Sequence, residues 1–243
     1  MLKQLPFAVY LAAIAVVPLQ PIAFANTPKQ SAPQAQLKQQ QEPASGVVKL
    51  TQADLPTGFQ ELPPEFKSVL ASQLAAFKPP QTRNPVPLDN IFAFVEPNKL
   101  QTVFGFSDKL ESPVTPETFD AGLQQLQQPQ VMQQVIDKLK QRLQKVPGVE
   151  IVDYQLLSPQ PNLGNRAVGM TLAMKMSNLP TPLRMDIAVF RRGKIIAATG
   201  VGYRDNSKPV VSINDVAAKL DSRIVQSSGS AEAQVTRLIR ELY

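Results

Sequence analysis

Residues 163–204 read LGNRAVGMTLAMKMSNLPTPLRMDIAVFRRGKIIAATGVGYR. Three runs within them alternate with period two. Val168, Met170, Leu172, Met174 and Met176 alternate with Gly169, Thr171, Ala173 and Lys175. Leu183, Met185, Ile187 and Val189 alternate with Arg184, Asp186 and Ala188, and Ile195, Ala197, Thr199, Val201 and Tyr203 form the third set. Successive side chains of an extended chain point to opposite sides, so each run predicts a β-strand with one set on a core face. The breaker-rich Ser177-Asn178-Leu179-Pro180-Thr181-Pro182 separates the first two runs, and Arg192-Gly193 joins the second and third in a tight hairpin. The predicted unit is a three-stranded antiparallel meander at the centre of a larger sheet.

Outward from this stretch, the N-terminus reads as a targeting segment. Lys3 precedes the almost wholly apolar Leu5 to Val17, and Ala23-Phe24-Ala25 fits a small-x-small cleavage site. The apolar run is short of the roughly 20 residues that a spanning helix needs, so residues 1–25 are expected to be a signal peptide cleaved after Ala25. Residues 26–46 are rich in Gln, Pro, Ala and Ser and poor in large apolar side chains, a composition expected of a disordered linker. The folded domain is expected over 47–225, followed by a hinge at Ser227-Ser228-Gly229-Ser230 and a C-terminal amphipathic helix, together 226–243.

Within the domain, Val47 to Leu50 is a short strand candidate, and Leu55-Pro56-Thr57-Gly58-Phe59 carries turn chemistry. Pro64 to Phe77 predicts a helix. Ile91 to Val95 and Leu100 to Phe106 predict a hairpin, and Thr115 is a good N-cap with Pro116 behind it. Phe119, Leu123 and Leu126 make one helical stripe, and Met132, Val135, Ile136, Leu139 and Leu143 make a second; Pro129 between them predicts a kink or two consecutive helices. Val149 to Leu157 is the next strand, and Ser212 or Asn214 caps a helix with the stripe Val216, Leu220, Ile224. Strands and helices mix without βαβ alternation. The expected class is α+β, an antiparallel β-sheet flanked by helices in an α/β/α sandwich, as a single domain after the signal peptide.

Composition removes several chemistries. Among 243 residues there is no cysteine, no histidine and no tryptophan. Disulfides, thiol catalysis and triads built on histidine are therefore excluded, and any metal would have to bind through oxygen ligands. Without its leader the chain carries 24 Lys and Arg against 19 Asp and Glu, a net +5. This modest charge reads as ordinary solubilising charge, with acidic protein or membrane surfaces as the alternative; scattered charges and few aromatics argue against nucleic acid.

Asp186, Asp205, Glu96 and Asp108 are the acids nearest the predicted sheet, with no spacing that demands a catalytic pair. Met170, Met174, Met176 and Met185 follow strand alternation and read as core. Gly200 and Gly202 share a strand face that would let a helix approach closely. The densest basic run, Arg191-Arg192-Gly193-Lys194, falls on the hairpin tip and would present Arg191, Arg192 and Lys194 to an anionic surface. Val235, Leu238, Ile239 and Leu242 form the stripe of the last helix, which fits docking on its own domain or on a partner or membrane surface. These two surfaces are the expected partner-binding residues, and no residue is assigned to catalysis, a cofactor or a metal.

The order of elements, the Leu55-Pro56-Thr57-Gly58-Phe59 turn and the Gln- and Pro-rich composition resemble the PsbP-like family, the accessory proteins of the photosystem II oxygen-evolving side and their bacterial relatives. The resemblance covers about Val47 to Val225 and implies an α/β/α sandwich with an accessory role in the periplasm or thylakoid lumen. The chain departs from the family in lacking a cysteine for lipid attachment and any histidine, so no binding residue is carried over. The function expected is an exported, non-catalytic accessory protein that binds a protein complex or membrane surface of the envelope or thylakoid. The alternatives are a lipid or small apolar ligand module, with its pocket between the sheet and the helices over Phe119 to Leu143, and a hydrolase built on carboxylates alone.

Overall fold

A computed structural model describes residues 48–74, 86–144, 148–177 and 179–241. The expected leader and linker lie outside the described residues, as do 75–85, 145–147, 178 and 242–243.

Seven strands, β1 (Gln60–Glu61), β2 (Ile91–Glu96), β3 (Gln101–Lys109), β4 (Val149–Leu157), β5 (Arg166–Met176), β6 (Leu183–Arg192) and β7 (Ile195–Arg204), build one antiparallel sheet. Four helices accompany them: α1 (Pro64–Leu74), α2 (Pro116–Leu126), α3 (Pro129–Leu143) and α4 (Ile213–Glu241). The strand order is β1-β2-β3-β7-β6-β5-β4. The expected meander is present, and its last strand occupies the middle of the sheet. From β3 the chain runs through α2 and α3 to the far edge at β4. It then returns strand by strand until β7 pairs with β3, from Thr102 opposite Gly202 to Lys109 opposite Ile195.

Both faces of the central strands are buried. Val168, Met170, Leu172 and Met174 of β5 pack with Ile187, Val189, Ile196 and Ala198 against Phe119, Leu123, Met132, Val135 and Ile136 of α2 and α3. Ala188, Phe190, Ala197 and Val201 instead join Val216, Ala217, Leu220 and Ile224 of α4, with Val48, Leu50 and Phe59. Near-continuous apolar strands are what a sheet covered on both sides requires.

Local chemistry sets the helix ends. The Thr115 hydroxyl accepts from the Thr118 amide at 3.3 Å, and Pro116 begins α2. Pro129 separates two helices rather than kinking one. Ser212 caps α4: its hydroxyl accepts from the Asp215 amide at 3.2 Å, and the Asp215 carboxylate accepts from the Ser212 amide at 3.3 Å. The turn before Phe59 places Gly58 at φ 108°, a conformation that favours glycine.

Three expectations need correction. Val48 to Leu50 form no strand; the Val48 amide donates to the Ser107 hydroxyl at 3.1 Å, so a serine tethers this segment in place of a ladder. No hinge interrupts α4 at Ser227–Ser230, and the helix is 29 residues long. The Ser227 and Ser228 hydroxyls both donate to the Ile224 carbonyl at 2.9 Å, which satisfies them without breaking the helix. Finally, what Gly200 admits is the Phe104 ring from the neighbouring strand, and Gly202 faces Thr102; neither serves a helix. A Cβ at Gly200 would collide with that ring. Gly200→Ala should therefore destabilise the domain by about 1–3 kcal/mol, read as a lowered urea midpoint with an unchanged slope, whereas an unchanged midpoint would show that the ring can move aside.

Candidate functional site

Arg191 and Arg192 are consecutive on β6, so their side chains leave opposite faces of the sheet. Arg191 meets Asp120 of α2 in a two-pronged pair, Nε to Oδ1 at 2.7 Å and Nη2 to Oδ2 at 2.5 Å. Its Nη1 also donates to the Gly193 carbonyl at 2.6 Å. Arg192 meets Asp221 of α4 in the same manner, Nε to Oδ1 at 2.8 Å with Nη2 on Oδ2, and donates to the Asn162 carbonyl at 2.9 Å. The Gly164 amide adds a bond to Asp221 at 3.2 Å, and Asn165 Oδ1 accepts from the Gly193 amide at 2.7 Å. These hydrogen bonds to carboxylates, against the opposing effect of burial, hold both guanidiniums above their usual range. The hairpin tip is thus bolted to a helix on each side, and the loop before β5 is folded over it.

The expected cationic surface is placed accordingly. Arg191 is 9 % exposed and committed to Asp120, Arg192 is half-buried and committed to Asp221, and Lys194 is the exposed cation of the run. Of the other expected partner residues, Val235, Leu238 and Ile239 lie on α4 at helical spacing, which places them on one helix face, and Leu242 lies outside the described residues. Among the α4 side chains whose burial is described, which end at Ser228, the last one in the core is Ile224, and Val225 is 50 % exposed. From there the helix backbone continues to Glu241, nearly five more turns. Asp221, which holds the hairpin tip, sits one turn before Val225. The bond from Arg192 to Asp221 therefore puts this part of α4 at the hairpin end of the sheet.

The acids have structural partners. Asp186 is buried in mid-sheet and accepts from the Thr171 hydroxyl at 2.6 Å and the Tyr203 phenol at 2.9 Å. Burial first, and then the Asp186 charge, push the Tyr203 phenol well above its ordinary range. Asp205 pairs with Arg184, Nε to Oδ1 at 2.5 Å. Glu96 accepts from the Asn98 amide group at 3.2 Å and from the Lys99 backbone, closing the β2–β3 turn. Asp108 accepts from the Lys109 amide at 2.9 Å. Among the described residues no group of three or more acids is placed to hold a metal. The methionines take core positions: Met170, Met174 and Met176 are buried and Met185 packs beside them. The space between α3 and the sheet, lined by Met132, Val168, Met170, Ile187 and Val189, has no room for a water molecule. Sequence reading missed the Thr171–Asp186–Tyr203 network; an aspartate set between Met185 and Ile187 in an apolar strand was its one local signal.

No family model matches the chain, and no curated protein matches it.

Two outcomes follow from this geometry. Arg191→Met and Arg192→Met should each lower the unfolding free energy by about 1–3 kcal/mol, the usual worth of hydrogen bonds to charged groups, while Lys194→Met should stay within about 0.5 kcal/mol; urea unfolding giving near-zero effects at all three positions would refute the clamp. The second concerns pH. The folded protein holds Tyr203 neutral to higher pH than the unfolded chain does. The associated stability is complete below the ordinary phenol value of 10.0 and is lost as pH climbs above it. Ultraviolet titration should show a tyrosine that ionises only as the protein unfolds, and Tyr203→Phe should remove that late component. If every wild-type tyrosine titrates near the ordinary value, the contact with Asp186 is wrong.

Proposed function

We propose that the chain is an exported, non-catalytic accessory protein that docks on a larger assembly of the periplasm, envelope or thylakoid lumen. The carrying observation is the length of α4, whose backbone runs on from the core residue Ile224 to Glu241. An amphipathic helix extended past its own core is a common way to seat in a partner's groove. In this reading Val235, Leu238, Ile239 and Leu242 supply the apolar contacts and Lys194 a charged one. Arg191 and Arg192 contribute by fixing the direction in which the helix departs.

Support for the family comparison comes from the layering. Side chains of α2 and α3 enter one core cluster and those of α4 the other, the arrangement expected of a PsbP-like α/β/α sandwich. The filled space between α3 and the sheet favours the accessory role over a module for an apolar ligand. The partner-held carboxylates Asp186 and Asp205 favour it over hydrolysis by paired acids.

The test is recovery of tagged protein from gently solubilised native membranes and from the soluble fraction. A stable complex should co-purify with the wild-type protein. It should be lost on deletion of 231–243 and weakened by Lys194→Glu, while the deletion leaves the domain's unfolding transition in place. Retention of the complex by both variants would remove these contact surfaces. A protein recovered alone and soluble, with a co-purifying lipid seen by mass spectrometry, would replace the accessory role with ligand binding.

A further inference from the structure

The end of the sheet opposite the hairpin tip carries a second surface. The turn between β2 and β3 ends at Leu100, whose φ is 50°. A leucine gains nothing from this left-handed conformation, which Gly or Asn adopts at lower cost. The side chain takes no compensation from the core, because it is 39 % exposed. A strained, exposed aliphatic residue at a turn tip points to an external role.

Its surroundings define that role. Gln101, the next residue, reaches across to the loop before α4. Its Oε1 accepts from the Val210 amide at 2.6 Å and its Nε2 donates to the Val211 carbonyl at 2.8 Å. Leu100 and the 41 % exposed Val210 are thereby held on the same end of the sheet. Thr102 pairs with Gly202, so continuing that antiparallel register outward sets Leu100 beside Arg204. Lys99, Arg204 and Lys208 are all exposed. No ion pair engages them among the described residues, and the nearest acids are taken: Glu96 by its own turn and Asp205 by Arg184. Three uncompensated cations therefore frame two protruding aliphatic side chains.

We propose that this end of the domain docks on an anionic lipid surface, with Leu100 and Val210 entering the headgroup boundary and Lys99, Arg204 and Lys208 facing the lipid charge. The chemistry favours a membrane over an acidic protein. Flexible cations around isolated aliphatic protrusions match a diffuse anionic surface. A protein contact of similar size relies on buried aromatic or arginine anchors set in pockets. This surface is independent of the accessory contact, which uses the opposite end.

The experiment is sedimentation of the protein, as recovered from the cell, with vesicles of phosphatidylcholine alone and of phosphatidylcholine mixed with phosphatidylglycerol. Binding should require phosphatidylglycerol and weaken as salt rises. Lys99→Gln and Lys208→Gln should each reduce the partition coefficient about fivefold. Leu100→Asn should reduce it several-fold while leaving the fold at least as stable, because asparagine tolerates the left-handed turn. The deletion of 231–243 should not change it. The proposal is overturned if phosphatidylglycerol makes no difference, if these three substitutions leave vesicle binding intact, or if the deletion abolishes it. Capture of an acidic protein through the same lysines without any vesicle binding would likewise replace the lipid with a protein partner.

Discussion

The pairing of β3 with β7 is the constraint on which the rest of the molecule depends. It joins segments that lie far apart in the chain, with α2, α3 and three strands between them, and it is the seam across which the β1-β2-β3 half of the sheet meets the returning meander. The residues along the seam are chosen for contact. Phe104 lies over Gly200, and the Phe92 ring lies over Gly105, so each ring rests on the backbone of an adjacent strand. Glycine weakens an isolated strand, but here its missing Cβ is the space that an aromatic side chain fills from across the ladder. Both cores grow from this seam, one on each face.

At the other end of the meander, charge does what apolar packing does at the seam. The alternation of a strand sends Arg191 to α2 and Arg192 to α4, so two adjacent residues register the helices against the sheet. Each pair is partly shielded and two-pronged, which gives it more directional value than a solvent-exposed pair of flexible chains. The same alternation inserts Asp186 among apolar neighbours, where the Thr171 hydroxyl and the Tyr203 phenol compensate its burial. Polar groups inside this fold tie helix to sheet at the hairpin and strand to strand at Asp186.

Much of the architecture was legible because its causes are local. Alternation along 163–204 marked β5, β6 and β7, and Thr115 with Pro116 and Ser212 marked two helix starts. What escaped reading depended on residues far away in sequence. Nothing near Val48 announces that Ser107 will bond it, and nothing beside Arg191 names Asp120 on a helix 71 residues earlier. A basic triplet on a turn looks like a surface until its partners arrive. Ser227–Ser230 read as a hinge on composition, yet hydroxyls that can bond back to the Ile224 carbonyl fit a helix. The structure carries α4 without a break through the positions of Val235, Leu238 and Ile239.

The absence of a break in α4 changes what its second half is. A flexible tether of the same residues would sweep a sphere around the domain and dilute its apolar stripe over all directions. A continuous helix advances about 1.5 Å per residue along one line, and that line is set where Asp221 grips Arg192 and Ile224 enters the core. In the docking proposed above, such a helix would carry the stripe along one line. For a second contact made after the first, local concentration depends on whether geometry already matches the distance to be spanned. In the proposed docking, a rod would make that match a matter of length and angle.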